Sequence, residues 1–267
     1  MENTRAKTTR NSLILLLTAT IWGMAFVSQS KGMDYMHPFT FNGVRSLIGA
    51  AGILVYILIS RKIAGDKAAK LDWKLNVRAG LLCGIFLTIA STLQQFGIKY
   101  TSVGKAGFIT TLYIIFVPMF GVFLKKKVAP VVWAAAGMAA VGMYLLCMTE
   151  SLRLGAGDIM VFLCAIAFAI QIMTVDHYAA RIDGAVVSCI QFTVCGVVCC
   201  IGALIWGQPT FGQLQEGLGA LLYAGVLSCG VGYTLQIVGQ KGLNPTVAAL
   251  IMSLESVIAT ISGWIAY

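Results

Sequence analysis

The sequence predicts an all-α protein, a polytopic membrane bundle of helices built on an inverted internal repeat. Hydrophobic residues make up 58% of the 267-residue chain and charged residues only 11%, whereas a soluble domain carries about 25% charged residues. The apolar residues fall into runs long enough to cross a bilayer, which takes about 20 residues in a helix. In addition, two segments of the chain resemble each other at a fixed separation.

Nine apolar runs are expected to form membrane-spanning helices. The first run follows three basic residues but lacks a small-residue cleavage site, so we interpret it as a retained span rather than a signal peptide. Turn-forming residues separate the runs, as in His37-Pro38 and Asn244-Pro245. The predicted spans are 12–30, 38–60, 78–98, 105–123, 129–148, 157–175, 184–206, 217–239 and 245–267.

The distribution of lysine and arginine predicts the orientation of the chain. When the connections between spans are assigned alternately to two sides, 14 basic residues fall on one side and four on the other, while Arg45 lies inside a span. Basic residues are retained on the cytoplasmic side. We therefore expect a multi-pass protein of the cell membrane with a cytoplasmic N-terminus. The same distribution accounts for the net charge of +9 without nucleic acid as a partner.

The internal repeat relates residues 92–112 to residues 234–254, which match at eight of 21 positions with an offset of 142. Apolar matches between two membrane helices arise easily by chance, but a shared Thr-Leu-Gln, then a glycine and a lysine in one register, do not. Lys99 falls on the predicted outer side and Lys241 on the inner side, so the two copies are expected to cross the membrane in opposite directions. Inverted repeats of this kind are typical of transporters.

We expect two repeats of five helices, residues 1–152 and residues 153–267. The fifth helix of the first copy should recur 142 residues later, which is beyond Tyr267. The second repeat is therefore expected to lack its last helix, a tenth span.

The eight cysteines do not indicate a metal site. All of them lie inside apolar runs, where a free cysteine behaves as a small hydrophobic residue. Cys195 and Cys199 share a helix face, but no histidine lies near them in the sequence, and a structural zinc site normally has four nitrogen or sulfur ligands. The sequence also has no phosphate-binding Gly-Lys-Ser/Thr loop. We therefore expect neither a metal nor another cofactor.

Several short motifs follow one another along the chain, namely Ile21-Trp22-Gly23, Pro38 followed by Arg45, Tyr100-Thr101-Ser102, Ala106 and Pro118. Together they resemble the EamA-type transporters of the drug/metabolite transporter superfamily, over nearly the whole chain and in two halves. The resemblance implies ten helices that import or export small metabolites. Two positions depart from the family pattern. Lysines follow Leu124 where members often have Gly-Glu, and Ser256 replaces a common proline in the ninth span.

Two ionisable residues lie well inside predicted spans. Such residues are costly in a bilayer and usually face a protein interior or a water-filled cavity. Arg45 lies about 10 Å from the outer end of its helix and Glu255 about 15 Å into its own. We predict that Arg45 anchors a substrate carboxylate and that Glu255 takes up a proton or binds a substrate amine. Alternatively, both are structural and pair with each other or with backbone carbonyls.

Further candidates come from polar and aromatic stripes on several spans, which either line a pathway or hold helices together. The offset of 142 relates Tyr113 to Glu255, so we expect the two side chains to face each other across a pseudo-two-fold axis. The predicted substrate-binding residues are Trp22, Arg45, Gln95, Tyr113 and Glu255.

These features predict a secondary transporter, not an enzyme. It would move a small metabolite, such as an amino acid or a drug-like compound, across the cytoplasmic membrane by alternating access, with proton coupling as one option. A non-transporting membrane scaffold or a membrane-embedded enzyme is the alternative. The small-molecule substrate and the lipid bilayer are the expected partners, and the oligomeric state is not indicated by the sequence.

Overall fold

A computed structural model of the chain describes residues 2–65, 71–124, 130–147 and 155–267. Within these ranges every regular element is a helix, which confirms the predicted all-α class. Two stretches are π-helical, Ala203–Gly207 and Tyr223–Gly232. The helices are α1 Glu2–Tyr35, α2 Pro38–Ala64, α3 Trp73–Ile98, α4 Val103–Thr110, α5 Tyr113–Phe123, α6 Pro130–Cys147, α7 Ala156–Ala179, α8 Gly184–Gly202, α9 Phe211–Glu216, α10 Leu218–Leu222, α11 Tyr233–Gln240, α12 Pro245–Met252 and α13 Glu255–Ala266.

Eight helical segments within the described residues are long and apolar enough to cross a membrane. They coincide with eight of the nine predicted spans and confirm a polytopic bundle. The remaining prediction, 129–148, overlaps α6, whose described part is Pro130–Cys147 and adjoins residues outside the described ranges on both sides. This ninth span therefore stays a prediction.

Two of the predicted spans are interrupted helices rather than continuous ones. The span after α3 consists of α4 and α5, which are separated by a turn at Thr111 and Leu112. The last span consists of α12 and α13, which are separated by a turn at Ser253 and Leu254. The second interruption follows the first by 142 residues, as position 253 follows 111. The repeat offset therefore describes a shared backbone feature as well as shared residues.

A hydroxyl group accompanies each interruption. The Thr111 hydroxyl donates to the carbonyl of Phe108 at 2.8 Å, and the Ser253 hydroxyl donates to the carbonyl of Leu250 at 2.8 Å. In each case the side-chain hydroxyl bonds to a carbonyl that would otherwise accept only from a backbone N–H of the next turn. Such bonds from Ser and Thr slightly destabilise and often bend a helix. Backbone N–H groups beside both turns bond to the third preceding carbonyl, as Ile114 does to Thr111 and Ser256 does to Ser253. A tightened turn therefore lies in the middle of each span.

The two parts of the chain interlock in one bundle. Helix α2 packs against α8, α3 against both α7 and α8, and α1 against α13. The largest cluster of buried apolar side chains draws on both parts, including Leu15 and Leu87 from the first and Phe168, Phe192 and Met252 from the second. Because helices of both parts meet at the centre of the bundle, a cavity there is lined by both.

Candidate functional site

A cavity of about 30 Å³ lies among α1, α2, α3, α7, α11 and the two interrupted spans. One water molecule needs about 10–15 Å³ on this measure, so the cavity holds two or three waters and is too small for a metabolite. Helices therefore have to move apart before a larger molecule can enter. Its lining residues are Trp22, Phe26, Gln29, Arg45, Gln94, Thr110, Tyr113, Phe168, Gln171, Ile172, Ser228, Tyr233, Gln236 and Glu255.

Four of the five residues selected from the sequence lie in this lining, and the fifth, Gln95, does not. Gln95 is fully buried against α1, where its side-chain amide donates to the backbone carbonyl of Gln29 at 3.1 Å. Its neighbour Gln94 lines the cavity instead. Successive residues of an α-helix point about 100° apart because 3.6 residues make one turn. Gln95 therefore lies one position along α3 from the cavity lining, and its role in substrate binding stays a prediction.

Tyr113 and Glu255 meet at the centre of the bundle. The Tyr113 hydroxyl lies 3.0 Å from Oε1 of Glu255 and donates a hydrogen bond to the carboxyl group. Both side chains are almost completely buried, with 2% and 3% of their surface exposed. Each is the first residue of a half-helix, α5 and α13 respectively. Both residues therefore lie at the break between the two halves of their spans.

Arg45 projects from α2 and is held by a second polar side chain. Its Nε donates to the amide oxygen of Asn42 at 2.8 Å, and the Asn42 amide donates to the backbone carbonyl of Ser91 on α3 at 2.8 Å. The guanidinium also lies 5.5 Å from the centre of the Phe41 ring. None of the described carboxylates lies within 4.0 Å of Arg45, although only 5% of its surface is exposed. The cavity therefore contains a buried cation without a carboxylate partner.

Aromatic side chains close one wall of the cavity. The rings of Trp22 and Tyr233 lie 4.5 Å apart between centroids, and Tyr233 meets Phe192 edge-on at 5.0 Å. The Trp22 indole donates to the carbonyl of Ser228 at 3.4 Å. Ser228 belongs to the π-helical stretch Tyr223–Gly232, and π-helical turns often occur at functional sites. The apolar faces of these rings therefore border the same cavity as the polar side chains of Arg45 and Glu255.

Three pairs of identical residues in the lining are related by the repeat offset of 142. These pairs are Phe26 with Phe168, Gln29 with Gln171, and Gln94 with Gln236. The sequence comparison included only the last pair, because the aligned window began at residue 92, and it did not select that pair as a site. Extending the offset to the first span would have revealed the other two.

The cysteines of α8 contribute hydrogen bonds to the packing around α2 and α3. Cys195 lies 3.5 Å from the hydroxyl of Ser46 and 3.4 Å from that of Ser91. Among the residues that the structure describes, no three His, Cys, Asp or Glu side chains are placed to hold a metal ion.

A helical bundle with several apolar spans and a polar cavity between interrupted helices is typical of membrane transporters. Comparison with known sequences identifies the family. The EamA-like transporter family matches residues 10–148 and again residues 155–267, so the chain belongs to this family. It is a multi-pass membrane protein of a transporter family, as the sequence motifs predicted.

Three similar proteins illustrate this relationship. An uncharacterized transporter of Archaeoglobus fulgidus is 30% identical over 171 residues, which cover 62% of this chain and 48% of that protein. The match therefore spans about half the length of that relative. The uncharacterized transporter YwfM of Bacillus subtilis is 26% identical over 94% of this chain and 84% of its own length. A solved crystal structure with 16% identity shares the fold, with a TM-score of 0.74 over 95% of this chain and 86% of that chain.

Proposed function

We propose that the protein is a secondary transporter that carries a small, carboxylate-bearing metabolite across the cell membrane. Transport would occur by alternating access between two repeats, residues 1–152 and 153–267, and would be coupled to protons through Glu255. The observation that supports this proposal best is the pairing of an unneutralised buried cation, Arg45, with a buried carboxyl group, Glu255, in one cavity.

Arg45 is proposed to bind the substrate carboxylate. A guanidinium presents its donors in a planar fork that matches a carboxylate, and such charge-assisted bonds are strong in a site shielded from water. Asn42 occupies Nε, so it would fix the side chain while leaving the terminal nitrogens for the substrate. A structural role would be better served by a carboxylate partner from the protein, and none of the described carboxylates provides one.

Glu255 is proposed to bind and release the coupling proton. A carboxylate near the middle of a membrane helix costs a few kcal/mol unless it is paired, hydrated or protonated. The Tyr113 hydroxyl is its side-chain donor within the described residues. Movement of the helices around Glu255 would change its access to water and hence its protonation during transport.

Alternating access would use the interruptions of the two spans. The end of α4 and the start of α5 can shift relative to each other at Thr111 and Leu112, and the corresponding turn separates α12 from α13. Interrupted helices of inverted repeats line the binding site in many transporters. Each repeat would then contribute one movable half-span to the closure of the cavity on opposite sides.

Transport can be tested with purified protein in proteoliposomes and a panel of radiolabelled amino acids and related acids. We expect saturable uptake of at least one carboxylate-bearing compound, driven by an imposed pH gradient. The variant Glu255→Gln keeps nearly the same volume but removes the charge, so it should abolish the dependence on the gradient while the protein remains folded. Glu216→Gln is the matched control, because Glu216 is exposed outside the cavity. Uptake with unchanged pH dependence in Glu255→Gln would contradict proton coupling through this residue.

The cytoplasmic orientation of the N-terminus can be tested by labelling introduced cysteines in intact cells with an impermeant thiol reagent. Lys31 lies near the end of α1 that is proposed to be outside, and Lys74 near the start of α3 that is proposed to be inside. Both side chains are exposed. Lys31→Cys should be labelled and Lys74→Cys protected until the cells are opened, with wild type as the background control. The reverse pattern would overturn the orientation.

A further inference from the structure

The cavity contains four glutamines that form two offset-related pairs, one from each part of the chain. Gln29 on α1 and Gln94 on α3 form the first pair, and Gln171 on α7 and Gln236 on α11 form the second. All four are buried. A glutamine amide is costly to bury unless its hydrogen-bonding groups find partners. Four such side chains around one small cavity therefore require an explanation beyond helix packing.

The second pair forms a chain of side-chain hydrogen bonds. The amide of Gln236 donates to Oε1 of Gln171 at 3.2 Å, and the amide of Gln171 donates to Oε1 of Gln191 at 3.5 Å. In the first pair, the amide of Gln94 donates to the hydroxyl of Thr110 at 3.2 Å. These bonds use the donor groups of three of the glutamines and orient their amides.

One acceptor oxygen in each pair is left without a protein donor. These are Oε1 of Gln29 and Oε1 of Gln236, on side chains that are 4% and 1% exposed. A buried acceptor that lacks a donor costs about 1–3 kcal/mol. Both side chains line the same cavity, and Arg45 and the indole of Trp22 supply donors rather than acceptors there. The two amide oxygens are therefore suited to bind hydrogen-bond donors of a ligand.

We infer that Gln29 and Gln236 form a receptor for a donor group of the substrate, an ammonium or a hydroxyl, that lies beside the carboxylate bound by Arg45. This inference rests on the proposed function for the carboxylate and adds the second recognised group. Each repeat supplies one acceptor, so the donor group is held between the repeats. The substrate class is accordingly a 2-amino or 2-hydroxy acid rather than a simple carboxylic acid.

Four small probes separate the two recognised groups. L-leucine and 2-hydroxy-4-methylpentanoate carry both a carboxylate and a donor on C2, whereas 4-methylpentanoate carries only the carboxylate. The fourth probe, 3-methylbutan-1-amine, carries a donor without a carboxylate. Binding is measured by titration calorimetry on the purified full-length protein in lipid nanodiscs. The wild type should bind the two C2-substituted acids about tenfold or more tightly than 4-methylpentanoate, as expected for two hydrogen bonds.

The variants Gln29→Leu and Gln236→Leu should each reduce this preference by about threefold to tenfold, which corresponds to one hydrogen bond. Their affinity for 4-methylpentanoate should not fall. Gln240→Leu is the matched control, because Gln240 is equally buried and its Oε1 also lacks a protein donor, but it does not line the cavity. Melting temperatures of all three variants show whether any difference arises from unfolding.

The possible outcomes distinguish this inference from the proposed function. If only the amine binds, and Gln29→Leu and Gln236→Leu weaken it, the glutamine receptor stands while the carboxylate role of Arg45 falls. If the acids bind but the preference is unchanged in both cavity variants, or is reduced equally by Gln240→Leu, the glutamine receptor is overturned while the carboxylate role stands. Failure of all four probes to bind the wild type would overturn both.

Discussion

The two parts of the chain line the central cavity with the same side chains at some offset-related positions and with different ones at others. Phenylalanine and glutamine recur in both, in the pairs Phe26 with Phe168, Gln29 with Gln171, and Gln94 with Gln236. The charged residues do not recur. Position 187, which corresponds to Arg45, is a buried valine, and Tyr113 corresponds to Glu255.

This difference separates the shape of the cavity from its electrostatics. The repeated aromatic and amide side chains give both walls similar surfaces, which suits the alternating access proposed above. A repeated carboxyl group would place two acids face to face in a buried site, where they could not both be ionised. A tyrosine opposite Glu255 avoids this conflict and donates a hydrogen bond instead. The two parts therefore share uncharged residues of the cavity lining and differ at the positions of Arg45 and Glu255.

The largest expected effect comes from making the central pair symmetric. Tyr113→Glu places a second carboxyl group against Glu255 and should destabilise the fold by about 3–5 kcal/mol, the range for an uncompensated buried charge. The yield and melting temperature of the purified protein measure this effect. Tyr113→Phe is the control that removes only the hydroxyl. It should lower the free energy of unfolding by about 1 kcal/mol, the typical contribution of one hydrogen bond.

The double variant that exchanges the two residues sharpens the same comparison. Tyr113→Glu combined with Glu255→Tyr restores one carboxyl and one hydroxyl, so folding should recover. Transport should not recover, because Arg45 has no counterpart at position 187 and the exchanged carboxyl group begins α5 instead of α13. Equal stability of Tyr113→Glu and Tyr113→Phe would show that the two residues do not share a buried site.

A second asymmetry lies in the ion pair between α4 and α7 and should have a smaller effect. Lys105 on α4 lies 2.6 Å from the buried carboxylate of Asp158 on α7, whereas the offset-related positions are Leu16 and Val247. Lys105→Met should lower the free energy of unfolding by about 2–3 kcal/mol, because Asp158 loses its charged partner. The loss is limited because Asp158 keeps the hydrogen bonds from Thr101 and from the backbone of Gly155. Thermal unfolding in detergent measures the loss.

The control for this ion pair is Lys105→Met combined with Asp158→Leu, which leaves no unpaired charge and reproduces the apolar character of Leu16 and Val247. It should be more stable than Lys105→Met alone, since replacing both partners of a buried pair by apolar groups is often nearly neutral. A double variant that is less stable than Lys105→Met would show that the packing of α4 against α7 depends on Asp158 itself rather than on neutralising its charge.

Hydropathy was sufficient to predict the number and position of most spans, because burial in lipid requires long apolar runs whatever the local geometry. It did not predict the interruptions at Thr111 and Ser253, since a short turn inside an apolar span leaves the composition unchanged. The signal was the pair of hydroxyl residues at offset-related positions. Their bonds to preceding carbonyls are visible only in three dimensions.

The candidate site was partly predictable for a different reason. Arg45 and Glu255 stand out in the sequence because charges inside spans are rare and costly, and the offset pointed to Tyr113. Gln94 lines the cavity and Gln95 does not, because one step along a helix changes the direction of a side chain by about 100°. Gln29 belongs to one of the stripes whose role the sequence left open, and Gln171 was not selected, because an amide can serve packing or binding equally well.

The smallest expected effect concerns the residues that begin the second helix of each part. His37 caps α2 with Nδ1, which lies 3.4 Å from the N–H of Phe39 and accepts a hydrogen bond from it. Asp183 caps α8 with Oδ1, which accepts bonds from Ala185 and Val186 at 3.0 and 3.2 Å. A neutral imidazole has one acceptor nitrogen and a protonated imidazole has none. Protonation of His37 therefore removes the hydrogen bond that caps α2.

Burial, and secondarily the charge of Lys99, lower the pKa of His37 below its usual value, which is about 6.5. The unfolded chain thus binds a proton more readily than the folded one, so the stabilisation by neutral His37 is complete above about pH 6.5 and is lost as the pH falls through the lowered pKa. His37→Asn retains a capping acceptor but does not titrate. On acidification from pH 7 to pH 5, the melting temperature of the wild type should fall further than that of the variant, by less than about 2 °C because the imidazole is only half-buried. Identical pH dependence of the two proteins would show that the cap of α2 does not depend on the protonation of His37.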